Sequence, residues 1–521
     1  MPTASPTDLA VVAVYLAAVT ILGCVMSRRT HTATEFISAG GSLPGWVVGL
    51  SIIGTFVSSI SFIANPGKSY SGNWNPFVFA LSLPYAALIA TVYFVPFFRN
   101  CGSLSAYEHL ERRFGAWARL YSAGFNVLYH IGRIGTILFG VSLAVTALID
   151  VPMWLLIIGL GLLVIGYTLM GGIEAVIWTD VVQSVVLIGG MLVCLVLLLT
   201  TVPGGFMGII ERAQTPVENK LSLGSLDFDF STSTFWMTLV FGLFINLQNF
   251  AADQTFVQRY FAARSEQEAR RSVWLGALAY LPISAVLFFI GTGLFVFYST
   301  VGNLPEGTSA DSVLPHFIMS ELPTGLSGLL IAAILAAAMS TVDSSLNSSA
   351  TLLLCDVRNR FFVTNTELSA DAAQRAAAAE LRFLRLMTVV LGVAGIAVAL
   401  AMMDIKSMLD VWWKISGVLS GGTLGLILLA RFTKATGAFG SGLGVFVGIT
   451  SICAIVLADM KSPPDWIAPL CDATRPILNY LHPLMAIVVG TLLVVVIGAV
   501  FSSKDKSVNA RQTGGDSDRL V

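Results

Sequence analysis

The stretch from Ala336 to Ala350, AAAMSTVDSSLNSSA, follows the apolar run GLLIAAIL and carries five serines, a threonine, an asparagine and a carboxylate. At about 100° per residue, Ser340, Asp343, Ser344, Asn347, Ser348 and Thr351 share one helix face, with Thr341 flanking it. Hydroxyl and carbonyl oxygens are the ligands that hard cations take, and they suit sodium because they hold no fixed charge after it leaves. Small hydroxyl residues also enrich packed membrane-helix interfaces, and that reading covers the serines taken alone. Asp343 tips the balance, because a carboxylate at membrane depth costs roughly 2.5–3.5 kcal/mol even on the mildest scale.

Other polar groups interrupt apolar surroundings. Asp180 lies in GGIEAVIWTDVVQ, where it either serves an ion or reaches the near cytoplasmic interface; Asp253 lies similarly in ADQTFVQRYF. Arg133 stands about four turns into an apolar span. It needs a protein carboxylate or an anionic substrate, which a guanidinium holds in a planar fork. Positions 129, 130, 136 and 137 are Tyr, His, Thr and Ile, so its own helix offers no carboxylate one turn away. Lys414 has Asp410 at i−4 and reads as structural. The five histidines are dispersed, and no Walker, GxSxG or HExxH pattern occurs, which argues against an enzyme and against coupling to ATP within this chain. The six cysteines lack metal or CxxC spacing.

These residues need a membrane around them, and the composition supplies it. The 521-residue chain is 55% hydrophobic and 11% charged, with mean hydropathy +0.81. Soluble chains carry about a quarter charged residues. Thirteen apolar spans are expected, at 8–27, 45–65, 74–98, 119–148, 152–171, 175–201, 234–260, 272–300, 325–354, 385–404, 407–431, 436–458 and 482–502. The first has no basic residue before it and Arg28-Arg29 after it, the reverse of a signal peptide. Placing the N-terminus outside puts 21 of the 29 basic residues, Arg259, Arg264, Arg270 and Arg271 among them, in cytoplasmic loops. Short external helices are expected in GGFMGIIERAQ and ADSVLPHFIMSEL, a cytoplasmic helix in ELSADAAQRAAAAELRFLR, and a Pro-rich turn in KSPPDWIAPLCDATRP. The tail from Lys504 reads as disordered.

Two spans break the apolar pattern at matching places. The second holds Ser51, Gly54, Thr55, Ser58, Ser59 and Ser61, and the seventh holds Asn246, Gln248, Asn249 and Asp253. Each opens a group of five spans, and an odd number per group makes the second enter from the opposite side. Inverted repeats with interrupted helices at matching positions mark a transporter site.

On GGIEAVIWTDVVQ, DQTFVQRYFAARSEQEARRS and AAAMSTVDSSLNSSATLLLCDV, over nearly the whole chain, the sequence resembles the sodium:solute symporter family, which includes galactose, proline, pantothenate, iodide and sialic acid symporters. The resemblance implies a LeuT-like 5+5 inverted repeat with one helix before the core and two after. It implies a sodium site from the carbonyls of Gly54, Val57 and Ala337 and the hydroxyls of Ser340 and Thr341. A second sodium site, as in some sialic acid symporters, would use Asp180, Ser340, Asp343 and Ser344, with Asp343 standing where the family has a serine. The tyrosine and glutamine that serve sugar in the galactose symporter align with Asn249 and Trp413, and the sugar-contacting lysine has no counterpart. The segments SSISFIANPGKSYSGNW and GRIGTILF look instead like sialic acid symporters, which place an arginine at the position of Arg133 against the substrate carboxylate.

The expected organisation is an all-α polytopic membrane protein. Residues 1–44 form the extra helix and a cytoplasmic loop, 45–201 the first repeat, 202–233 an external loop, 234–431 the second repeat, 432–503 two further helices and 504–521 a cytoplasmic tail. The expected function is sodium-coupled import of a small polar organic solute across the inner or plasma membrane. Ser58, Ser61, Asn75, Arg133, Gln248 and Asn249 would bind the solute, best an anion such as sialic acid. Alternatives are a neutral sugar or polyol symporter and, from another class, a sensor or channel on the same fold. Sodium and the bilayer are the other expected partners, with no organic cofactor, nucleic acid or obligate protein partner.

Overall fold

The computed structural model describes residues 4–26, 30–146, 151–214, 219–362, 370–403, 408–433, 437–460, 463 and 466–501. Arg28, Arg29, Lys406, Lys434 and the tail lie outside these residues, and the side chains of Asp410, Trp413 and Lys414 are likewise not described. All named elements are helical. Ten described helices are long and apolar enough to cross a membrane, or eleven with one bent pair. We number the membrane helices α1 Pro6–Met26, α2 Gly45–Phe56, α3 Ser59–Ser71, α4 Asn75–Asn100, α5 Ala116–Thr146, α6 Met153–Thr201, α7 Phe235–Ala252, α8 Gln254–Ala262, α9 Glu266–Thr300, α10 Leu326–Leu352, α11 Ala370–Ala401, α12 Met408–Phe432, α13 Ala438–Ala458 and α14 Ala486–Val500.

One of the differences from the thirteen expected spans has a physical source. The fifth and sixth are fused in α6. Its 49 residues would run about 74 Å at 1.5 Å per residue, against a hydrocarbon core of about 30 Å. The helix is divided at Gly172, whose φ of 59° and ψ of −154° suit only glycine. A Cβ there would also strike the Phe36 carbonyl at 2.7 Å. The eleventh expected span coincides with α12, Met408–Phe432, whose side chains before residue 419 lie outside the described residues.

The short helices Gly205–Ala213 and Ala310–Glu321 form where the sequence predicts. The expected cytoplasmic helix is continuous with the tenth span in α11. The segment expected as a Pro-rich turn instead holds helix Ala468–Thr474 and a 3-10 turn at Arg475–Asn479, because proline early in a helix costs no hydrogen bond.

Two compact units emerge. One comprises residues 1–106 and 127–413; the other comprises 107–126 and 414–521. The second unit gathers most of α12 with α13 and α14, and Ile452 and Ile455 anchor its apolar packing with Ala486. In the first unit, α10 is the central post: nearly all of its residues are buried. Asp8 of α1 fixes its start, accepting from Gly325 N–H (2.7 Å), Gly328 N–H (2.9 Å) and Ser327 Oγ (2.7 Å), where a helix N-terminus carries partial positive charge.

Candidate functional site

The second span is broken as expected: α2 and α3 meet at a 53° bend. Ser58 caps α3, its Oγ accepting from Ser61 N–H at 3.2 Å, and the Ser58 N–H turns back to Phe56 O at 3.2 Å. In a continuous helix these two amides would bond the carbonyls of Val57 and Gly54. The break thus diverts the donors of the two backbone carbonyls expected at the sodium site. The intervening Thr55 carbonyl accepts from Arg133 Nη2 at 3.2 Å, which places a cation at the partially negative C-terminus of α2.

The seventh span breaks at Asp253, which leaves helical geometry (φ −91°, ψ 122°) and caps α8 through Thr255 N–H (2.8 Å). Its Oδ1 also lies 3.2 Å from His130 Nε2. Phe56, at the end of α2, packs on Phe250 and Phe256, which flank this second break, with ring centroids 5.5 and 4.8 Å away. The two interruptions are therefore neighbours in space.

Between them stands α10. The Gly54 backbone approaches it so closely that a Cβ would lie 2.8 Å from Ser340 Oγ and 3.1 Å from Ser184 Oγ. Thr341 Oγ1 donates to the Ala337 carbonyl at 3.1 Å. Gly54, Ala337, Ser340 and Thr341 are thus gathered where α2 crosses α10. Further along, the hydroxyl face meets α8: Ser348 Oγ accepts from Thr255 Oγ1 (3.0 Å), and Asn347 Oδ1 from Gln258 Nε2 (2.6 Å).

Asp180 is wholly buried, which removes the interfacial reading. It accepts from the hydroxyls of Ser51 and Ser340 and pairs with Arg259 at 2.9 Å. Arg259, expected in a cytoplasmic loop, instead lies in helix α8 with its side chain completely buried. Its other donors reach Ser51 Oγ (2.8 Å), Thr255 O (2.8 Å) and Ser344 Oγ (2.7 Å). Its local sequence carries no signal; the one hint is that Asp180, Asp253 and Asp343 outnumber the intramembrane arginine Arg133.

Asp343 leaves the face it was expected to share. Its carboxylate accepts from Tyr167 Oη of α6 at 2.7 Å, with Thr179 Oγ1 at 3.5 Å. Among the expected solute ligands, Ser58 and Ser61 sit at the α2–α3 break with their hydroxyls 3.2 Å apart. Gln248 and Asn249 lie in the last turns of α7. Asn75 is engaged elsewhere, donating to Leu223 O (2.9 Å) and accepting from Thr238 Oγ1 (3.0 Å).

Two interrupted helices beside a hydroxyl-rich central helix are the arrangement that secondary transporters use. The chain belongs to the sodium:solute symporter family, whose model matches residues 36–448. It is 35% identical over 447 residues to the sodium/sialic acid symporter SiaT of Proteus mirabilis, covering 84% of this chain and 87% of that protein. It is 31% identical over 488 residues to the sodium/sialic acid symporter NanT of Aliivibrio fischeri, covering 93% and 90%. Its fold matches the substrate-bound outward-open state of a Na+-coupled sialic acid symporter with TM-score 0.84 and 31% identity, over 96% of this chain and 98% of that one. The LeuT-type fold expected from the sequence is thereby established.

Proposed function

We propose that this symporter imports a sialic acid or a closely similar carboxylated solute, driven by sodium. Arg133 carries the anionic reading. It lies on a membrane helix, makes no ion pair among the described residues, and donates only to a backbone carbonyl at the α2 break. A solute carboxylate would give it a charge-assisted hydrogen-bond partner, typically contributing about 1.5–3 kcal/mol, beyond the longer-range attraction of the buried Asp253 carboxylate; a neutral sugar would not. Ser58, Ser61, Gln248 and Asn249 would orient the solute's hydroxyls, and Asn75 would act through the loop it holds.

Sodium would sit at the α2–α10 crossing, on the carbonyls of Gly54, Val57 and Ala337 and the hydroxyls of Ser340 and Thr341. The diverted amides of Ser58 and Ser61 support this placement, because they leave two of those carbonyls for an ion. Sodium binding would join α2 to α10 and favour the state that accepts solute, and release of both inward would complete alternating access. Each sodium crossing about 100 mV contributes roughly 2.3 kcal/mol. The N-terminus would face outward and the C-terminus the cytoplasm.

Calorimetry on purified protein tests the solute class. N-acetylneuraminate should bind in sodium, and Arg133→Ala should weaken it roughly ten- to a hundredfold while sodium binding persists. Arg133→Lys should rescue poorly, since a point charge does not reproduce the fork. Equal binding of a neutral sugar by wild type and Arg133→Ala would replace the anionic reading with the sugar one.

A further inference from the structure

Helices α2 and α9 start on the same face of the membrane, where one carboxylate joins them: Glu268 Oε2 accepts from Gly45 N–H at 2.6 Å. A cleft of about 350 Å³ opens at this joint, lined by Gly45, Trp46, Arg264, Glu268, Arg271 and Leu275. Its charges do not balance, because two guanidiniums share one carboxylate. Arg271 Nη1 donates to Glu268 Oε1 at 2.9 Å, whereas Arg264 approaches the same oxygen only to 3.7 Å. Among the described residues no other hydrogen bond or ion pair engages either guanidinium, and the Arg264 and Arg271 side chains are 60% and 64% exposed. The neighbouring Arg270 adds no net charge, since it holds Glu266 Oε1 through two nitrogens at 2.7 and 3.0 Å. A second observation concerns what lies below these charges. From the cleft, Arg271, Leu275, Leu278 and Pro282 form an exposed strip along one face of α9. Trp46 is half exposed and packs edge-on against Trp178 of α6, with ring centroids 6.2 Å apart. Tryptophan at the start of a membrane helix sits at headgroup level.

We propose that this cleft binds the headgroup of an anionic phospholipid, with Arg264 and Arg271 on its phosphodiester, Trp46 beside its glycerol and Leu275 and Leu278 against an acyl chain. Guanidiniums suit phosphate because their planar donors match its oxygens. Basic pockets at the ends of membrane helices are where lipid headgroups bind. One excess positive charge in the cleft matches one phosphodiester, so Glu268 keeps its charge and its hold on Gly45. A zwitterionic lipid carries its own cation, which the two arginines repel. A soluble anion would use the arginines but leave the indole and the leucine strip without a role. The strip has the order of a phospholipid, charged at the membrane surface and apolar below it. None of these residues belongs to the solute or sodium positions, so the inference goes beyond the proposed transport function.

Native mass spectrometry of the delipidated full-length protein tests it, by titration with palmitoyl-oleoyl phosphatidylglycerol or with phosphatidylcholine of the same chains. The first phosphatidylglycerol should bind roughly tenfold tighter than phosphatidylcholine, and Arg264→Gln with Arg271→Gln should abolish that preference. Trp46→Ala, which keeps every charge, should weaken the first lipid several-fold. Arg112→Gln, at an arginine elsewhere that is 67% exposed, should leave binding unchanged. Millimolar inorganic phosphate should not displace phosphatidylglycerol. Equal affinity of wild type for the two lipids, an equal loss in Arg112→Gln, or a preference retained by the double variant would overturn the site. Where the double variant does not fold, unaltered binding by Trp46→Ala overturns it. Displacement by inorganic phosphate would make the cleft a soluble-anion site and overturn the lipid assignment.

Discussion

At the residue scale, the chemistry is concentrated in oxygens whose ordinary partners have been taken away. Ser340 and Thr341 are the side chains proposed to meet sodium at the α2–α10 crossing. Replacing both with alanine should raise the sodium concentration for half-maximal uptake several-fold at unchanged expression, and an unaltered sodium dependence would misplace the ion. The Asp180–Arg259 pair makes a different prediction. Arg259→Gln strands a buried carboxylate, and losing one partner of a buried pair costs about 3–5 kcal/mol. The variant should melt well below wild type in detergent, and Asp180→Asn added to it should recover much of the loss. Additive destabilisation in that double variant would show that the two charges do not depend on each other. The serines of AAAMSTVDSSLNSSA were legible because a hydroxyl face at helical spacing has a recognisable period. Arg259 was not legible, because DQTFVQRYFAARS carries the polar residues of a loop end, and only the break at Asp253 turns α8 inward. Asp343 was legible as an intramembrane carboxylate, but its turn toward Tyr167 depends on how α6 packs, which helical spacing on α10 does not encode.

At the element scale, the structure is organised by where helices stop. The second-span break was visible in the sequence, since serines favour caps over helix interiors. The seventh-span break was visible as a polar interruption, and its exact residue follows from Asp253 capping Thr255. The fused α6 was less legible: a glycine pair at 171–172 signals a joint between two spans, but only the backbone shows that Gly172 turns without ending the helical run. Gly172→Ala should therefore lower the melting temperature through both the positive φ and the clash with Phe36, whereas Gly159→Ala in the same helix, where a Cβ meets nothing within 4 Å, should be neutral or mildly stabilising. Similar losses at both positions would contradict the kink. Asp8→Ala should cost about 1–2 kcal/mol by removing the cap of α10, read as a lower melting temperature.

At the scale of the whole molecule, the chain is a multi-pass membrane symporter, and the proposed orientation follows from its basic loops. In a background lacking the six native cysteines, Trp466→Cys should react with an impermeant thiol reagent on intact cells, and Phe362→Cys only after permeabilisation. Both positions are exposed, at 83% and 79%, so accessibility reports the side of the membrane. The reverse pattern would invert the topology. In the proposed function a sodium gradient drives a carboxylated sugar through this protein. Uptake of radiolabelled N-acetylneuraminate into proteoliposomes, with sodium outside and potassium inside, measures it most directly. The solute should accumulate transiently above equilibrium, and that accumulation should collapse when the sodium gradient is dissipated and be largely lost in Arg133→Ala. Accumulation of a neutral sugar in place of N-acetylneuraminate, or equilibration of solute without regard to sodium, would contradict it.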